Sequence, residues 1–147
     1  ATNLGITHLT LADWRGKPVT TGDVRALERT EAEEIYRARY WNALNCDGLA
    51  PGVELVEFDF GVNAGPARAA RMLQRITGAS VDGQIGPQTL AAAARHAPQT
   101  VIAKFSDDRL SYYRRLKHWG SFGRGWTRRT EETRKAALDM ARLDMAA

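Results

Sequence analysis

Apolar residues recur at spacings of three and four along almost the whole chain, which predicts helix after helix, each packed through one face. Only the start departs from this. Residues 2–7 are short and β-branched around Gly5, which predicts a strand end or hairpin remnant. A short helix follows through Leu11 to Arg15 and is stopped by Gly16-Lys17-Pro18. Thr21-Gly22-Asp23 opens a brief turn of helix through Leu27. Thr30-Glu31-Ala32-Glu33 fits a capping box, in which a threonine oxygen and a glutamate satisfy the first free backbone amides. The helix it predicts buries Ala32, Ile35, Tyr36 and Tyr40 and runs to about Trp41. Asn45-Cys46-Asp47-Gly48 then turns the chain.

Pro51-Gly52 starts a central helix with an unusual pattern. At about 100° per residue, Glu54, Glu57 and Gly61 fall on one side and Asp59 and Asn63 on the opposite side. Val56, Phe58, Phe60 and Val62 fill both flanks. A helix apolar on both flanks is mostly buried, so the Asp59–Asn63 stripe is expected to face an internal hydrogen-bond network or a solvent-filled cleft.

Gly65-Pro66 opens the next helix, because proline at the first helical position loses no hydrogen bond. Ala69, Met72, Leu73 and Ile76 make its apolar face, and Gly78 ends it. Asp82-Gly83 marks a turn. Gly86-Pro87 starts a helix through the alanines to His96, stopped by Pro98. Two longer helices are predicted over 100–117, with Ile102, Phe105, Tyr112 and Leu116 inward, and over 126–145. The fold class is all-α in the main, an orthogonal helical bundle with at most a small β remnant at the N-terminus.

At 147 residues, 44% hydrophobic and 26% charged, the chain is of single-domain size and holds enough apolar material for a core. No apolar run approaches the roughly 20 residues a membrane helix needs, so no membrane insertion is expected. The start also lacks the basic-then-apolar order of a signal peptide. Synthesis in the cytoplasm without an export signal in this chain is the expectation. A single cysteine excludes an internal disulfide, and three scattered histidines give no zinc spacing, so neither metal nor cofactor is expected.

The net charge of +4 favours anionic partners without choosing among them. Arg114, Arg115, Lys117, Arg124, Arg128 and Arg129 lie among Trp119, Phe122 and Trp126. That mixture suits a single-stranded nucleic-acid groove, or equally a solvated helix end with buried tryptophans. The second alternative is adopted, with no nucleic-acid partner. No nucleophile elbow, phosphate loop, dinucleotide fingerprint or HExxH helix occurs. Cys46 has no partner histidine and reads as an inert, half-buried thiol. Glu31, Glu33 and Glu34 read as helix-terminus charges and Asp82 as a turn residue.

Several short segments in order carry a family likeness: Thr2-Asn3-Leu4-Gly5-Ile6-Thr7, Ile35 to Trp41, Cys46-Asp47, Phe58-Asp59 with Val62 to Pro66, Ala69 to Gln74, Val81-Asp82-Gly83 with Ile85 to Thr89, and Gly123 to Trp126. Together they resemble glycoside hydrolase family 108, across nearly the whole chain. The resemblance implies one lysozyme-like domain over 1–147, of which 1–50 is the remainder of a muramidase part and 51–147 a predicted peptidoglycan-binding helical part. It implies a phage or prophage N-acetylmuramidase whose partner is bacterial peptidoglycan, acting at the cell wall or periplasm. The family's proton-donating glutamate lies in a Glu-Gly-Gly-aromatic motif upstream of the segment matching Ala1-Thr2-Asn3. No residue here matches it, so no catalytic residue is assigned and the 147 residues are expected to be inactive alone.

The resemblance offers six substrate-side candidates. Asn3 and Thr7 would hydrogen-bond the attacking water or a sugar N-acetyl group, or serve turn chemistry alone. Asp59 and Asn63 would reach the cleft from the central helix, with Asn63 alternatively capping the helix at Pro66. Tyr36 and Trp41 would stack on sugar faces, or belong to the core. A non-catalytic peptidoglycan-binding module is the alternative reading of the whole chain.

Overall fold

The computed structural model describes residues 1–146, which form two compact units, Ala1–Tyr40 and the chain from Trp41 onward. Eight α-helices and one two-stranded hairpin are present among the described residues, as the mainly α-helical reading with a small β remnant requires.

In the first unit β1 (Thr2–Asn3) and β2 (Ile6–Thr7) pair antiparallel, Thr2 opposite Thr7 and Asn3 opposite Ile6. The Leu4-Gly5 connection has φ of 53° and 79°, the left-handed pair that matches the twist of a two-residue hairpin. Glycine is required at the second position for a further reason: a Cβ there would overlap the Tyr36 hydroxyl. Next come α1 (His8–Arg15), capped by the Thr7 side chain, α2 (Thr21–Arg25) and α3 (Arg29–Tyr36), which ends in a π-helical turn, Arg37–Trp41. Ile6, Leu11, Val24, Ala32 and Ile35 close over one another as the core.

The capping box lies one helix earlier than the sequence suggests. Thr20 accepts from the Asp23 amide at 3.0 Å and Asp23 accepts from the Thr20 amide at 2.8 Å. At the start of α3 the Ala32 amide already bonds the Glu28 carbonyl, so the helix is under way before Thr30 could cap it. Glu31 turns instead to Arg15, 2.7 Å away.

The second unit holds a 3₁₀ turn, Cys46–Gly48, then α4 (Val53–Ala64), α5 (Pro66–Thr77), α6 (Pro87–Ala94), α7 (Pro98–Arg114) and α8 (Trp119–Ala146). α4 packs against α5, α7 and α8. Its Phe60, fully buried, meets Phe105, Tyr112 and Tyr113 edge-on at 5.7, 5.6 and 6.0 Å, the geometry aromatic quadrupoles favour. Gly52, at φ 91°, lets the start of α4 come up to the Ala137 carbonyl, which a Cβ would overlap.

α8 starts at Trp119, not at 126 as the sequence predicts. Gly120, Gly123 and Gly125 lie inside it, each at a cost of about 1 kcal/mol relative to alanine. Packing overrides that preference. The Trp119 ring covers Gly123, where a side chain would collide, and lies 6.3 Å from the Trp126 ring.

Candidate functional site

Asn3, Thr7 and Tyr36 all belong to the first unit. The Asn3 amide nitrogen donates to the carbonyls of Val24 and Arg25 at 3.1 and 3.2 Å, which pins the hairpin to the end of α2. Thr7 is exposed, and its hydroxyl accepts from the Thr10 amide at 3.2 Å as the cap of α1. The Tyr36 hydroxyl donates to the Leu4 carbonyl at 2.8 Å, and its ring lies 5.8 Å from Tyr40. The hairpin is therefore clasped by its own unit from two sides. Thr2, Leu4 and Thr7 of the hairpin are exposed, and Asn3 is half-buried.

Trp41, Asp59 and Asn63 belong to the second unit. The Trp41 indole donates to Asp47 Oδ1 at 2.9 Å, and its ring meets Phe58 edge-on at 5.5 Å, so it is half core and half surface. Asp59 faces an internal network. Arg109 Nη1 donates to Asp59 Oδ2 at 2.8 Å, Arg129 Nε to Oδ1 at 3.1 Å and Thr133 Oγ1 to Oδ2 at 3.3 Å. Burial pushes the Asp59 carboxyl up, but hydrogen bonds and charge from Arg129 and Arg109 outweigh it and hold it below the ordinary value. The network then rises to the surface: Arg109 Nε donates to the Tyr113 hydroxyl at 3.0 Å, which donates to Asn63 Oδ1 at 2.8 Å. Of the two environments expected for this stripe, Asp59 takes the buried network and Asn63 ends it at solvent.

The opposite stripe of α4 contains the unexpected group. Glu57 is fully buried and neither carboxyl oxygen has a hydrogen-bond partner. Burial pushes its pKa well above the ordinary carboxyl value, favouring the protonated form. The sequence places it on the same side as Glu54, which is only partly buried and accepts from the Gly52 amide at 2.6 Å. Glu31 is held ionised by its hydrogen bond to Arg15, and Asp82 by bonds from the Gln84 amide and Gln74. The acid raised well above its ordinary value is thus sealed away.

Between α5 and α6 the Asp82-Gly83 turn is tied down by a single buried side chain. Gln74 Nε2 donates to Asp82 Oδ1, the Gln84 carbonyl and Thr89 Oγ1 at 2.8, 2.9 and 3.1 Å, while its Oε1 accepts from the Asp82 and Gly83 amides at 3.1 and 3.0 Å. Beside it lies an open depression of about 410 Å³, lined by Ser80, Asp82, Gln84, Gln88 and Thr89. Among the described residues no group of three or more His, Cys, Asp or Glu is placed to hold a metal ion.

Sequence reasoning missed Arg109, Tyr113 and Arg129 as members of the Asp59 network. One signal was available: Arg109 and Tyr113 lie four apart, hence on one face of α7, and a buried helix face takes an arginine only against a carboxylate.

Residues 1–65 match the family model for glycosyl hydrolase 108, and residues 68–131 match the family described as Predicted Peptidoglycan domain. The structure of Brucella abortus SagA matches with a TM-score of 0.91 at 42% sequence identity, over 96% of this chain and 81% of that one. The likeness agrees with the lysozyme-like helical fold expected from the sequence. No curated protein matches the chain.

Proposed function

This chain belongs to the glycosyl hydrolase 108 family, and on that footing we propose that it is a muramidase, cleaving the β-1,4 bond between N-acetylmuramic acid and N-acetylglucosamine, of the type that phage and prophage endolysins supply. The family assignment itself makes it a peptidoglycan-related glycosidase with a binding domain, acting at the cell wall. The observation that carries the finer reading is the direct succession of a glycosidase segment, residues 1–65, by a peptidoglycan segment, residues 68–131. No helix is long and apolar enough to cross a membrane among the described residues.

Hydrolysis of this bond needs a carboxylic acid held protonated at the leaving oxygen. Glu57, its pKa pushed well up by burial, is sealed away; Glu54, also raised by burial, is tied to the Gly52 amide; Glu31, Asp59 and Asp82 are held below their ordinary values. We therefore assign the proton donor to none of these residues and expect the 147 residues to be inactive alone. The region 1–50 then serves as part of the muramidase and 51–147 as the wall-binding part. Within the first unit, Asn3 and Thr7 are proposed to contact the attacking water or an N-acetyl group and Tyr36 a sugar face; within the second unit, Trp41 is proposed to meet a sugar face and Asn63 the substrate, with Asp59 holding Asn63's surroundings through Arg109 and Tyr113.

Turbidity clearing of purified peptidoglycan tests this reading, using the chain alone and the chain preceded by a Glu-Gly-Gly-aromatic segment. The expected result is lysis by the second only, with borohydride reduction of the fragments marking muramic acid at the new reducing ends. Lysis by the chain alone would refute the assignment of the acid, and glucosamine at the new ends would refute the linkage. The burial of Glu57, the acid raised well above its ordinary value, also favours a second reading, a module that solely binds wall. Binding without lysis by both proteins would establish that reading instead.

A further inference from the structure

A line of touching side chains runs through the second unit from exposed Asn63 on α4, by way of buried Tyr113 on α7 and half-buried Trp126, to exposed Phe122 on α8. The Tyr113 hydroxyl holds Asn63 Oδ1 at 2.8 Å. Its ring stacks on Trp126 at 5.2 Å and 28°, and Trp126 in turn meets Phe122 at 5.8 Å and 31°. Both ends of the strip open to solvent: Asn63 is exposed, and the Phe122 side chain is 56% exposed. A single exposed apolar residue calls for no explanation, but Phe122 is the outermost ring of an aromatic series whose innermost member, Tyr113, is fixed by hydrogen bonds to Arg109 and Asn63. Such a ring stays flat and presented without further loss of side-chain freedom.

Charge adds a second, independent feature. Arg129 is three residues beyond Trp126 on α8, on the same side of that helix, and its side chain is 62% exposed while paired to Asp59. Asp59 is one carboxylate between two guanidiniums, so the group keeps one excess positive charge, and Arg109 Nη2 has no hydrogen-bond partner. An anion near Arg129 is therefore favoured, and arginine is the side chain best shaped to hold a carboxylate.

We propose that this strip is a glycan-binding face, taking the ring of one N-acetylated sugar of a peptidoglycan strand on Phe122, an acetamido or hydroxyl group on the Asn63 amide, and a stem-peptide carboxylate at Arg129. It rests on the peptidoglycan reading above and gives that reading a place on the molecule. The C–H face of a pyranose complements the negative face of an aromatic ring. Asn63 keeps its amide donors for the ligand because its Oδ1 is the atom that Tyr113 uses. Single-stranded nucleic acid would use the same kind of ring and cation, so it enters the test as a competing ligand.

Binding isotherms to purified insoluble peptidoglycan decide the matter, with the 147-residue chain compared against Phe122→Ala, Phe122→Trp, Asn63→Asp and Arg124→Gln. Asn63→Asp keeps the acceptor for Tyr113 while removing the amide donors. Arg124 lies two residues past Phe122, about 200° round the helix, and reports charge away from the strip. Phe122→Ala and Asn63→Asp should each raise the dissociation constant on the order of tenfold or more, a loss of roughly 1.4 kcal/mol. Phe122→Trp and Arg124→Gln should stay close to the unaltered chain. Unchanged binding by Phe122→Ala and Asn63→Asp, with the unaltered chain retained on the wall, overturns the strip and leaves the wall reading standing. No binding by the unaltered chain overturns both. A single-stranded oligonucleotide bound more tightly than wall, and released by Phe122→Ala, overturns the choice of glycan.

Discussion

Asp59 and Arg109 face each other at 2.8 Å across α4 and α7, with side chains only 9% and 2% exposed. The pair is too deep for water to replace either partner. Removing one charge strands the other, which costs about 3–5 kcal/mol for a buried ion pair. Asp59→Ala should therefore shift the urea midpoint strongly downward, since Arg109 and Arg129 would both lose their carboxylate. The pH dependence follows the same logic. Asp59 has its pKa held below the ordinary value, so its contribution is present above the unfolded value of about 3.9 and is lost as pH falls below it. Denaturation at pH 3 should show a smaller gap between Asp59→Ala and the unaltered protein than at pH 7, and an equal gap would dismiss the network as a source of stability.

Glu57 predicts the opposite trend. Its folded value is raised, so what the carboxyl contributes is fully present below about pH 4.3 and is lost as pH climbs toward the folded value. Glu57→Met keeps the length of the side chain and removes two buried oxygens that bond nothing. An unsatisfied buried polar group costs about 1–3 kcal/mol, so the methionine variant should melt higher, by about 2–4 °C per kcal/mol for a chain of this size. The advantage should widen between pH 5 and pH 8. Calorimetric melts across that range would reject the idea if the two curves ran parallel.

Helices were legible wherever one rule decided them. Pro66 and Pro87 at first turns, the turn at Asp82-Gly83 and the hairpin at Leu4-Gly5 are local chemistry, and each stands where the sequence places it. Thr30 and the start of α8 were misread because long-range packing settled them: the Arg15–Glu31 pair at one, the Trp119 ring over Gly123 at the other. The central helix shows the limit most clearly. Periodicity separates its two polar stripes correctly, yet which one meets partners depends on α7 and α8. Asp59 meets two arginines from distant segments, while Glu57, equally polar on paper, meets none.

Cys46 provides a chemical test of how tightly the second unit is closed. Burial, with smaller effects from Glu57, Glu54 and Asp47, pushes its thiol up to about 12, and its side chain is buried rather than half-buried as the sequence suggests. A thiol reagent acts on the thiolate. At pH 8 the native protein should be inert to dithionitrobenzoate and should release one equivalent only on unfolding, in step with the loss of circular dichroism. Rapid reaction of the native protein would mean that the region around Cys46 opens.

Gln74 makes the last prediction, because one buried amide there organises the turn that leads into α6. Its oxygen takes the amides of Asp82 and Gly83, and its nitrogen serves Asp82, Gln84 and Thr89. Leucine has nearly the same volume and none of these bonds. Gln74→Leu leaves α5 with its apolar packing intact, so the helices should keep their circular dichroism. The turn, in contrast, loses its anchor, and the freed backbone groups can regain partners only by opening to water. Hydrogen exchange over residues 79–89 should therefore accelerate toward the rate of an open loop, while α4 and α7 stay protected. Gln74→Glu separates hydrogen bonding from packing. It keeps the acceptor for Asp82 and Gly83 but sets a carboxylate beside Asp82, so it should open the turn above pH 6 and close it near pH 4, as the added acid protonates. Exchange in that variant that ignores pH would show that shape, and not the amide, holds the turn.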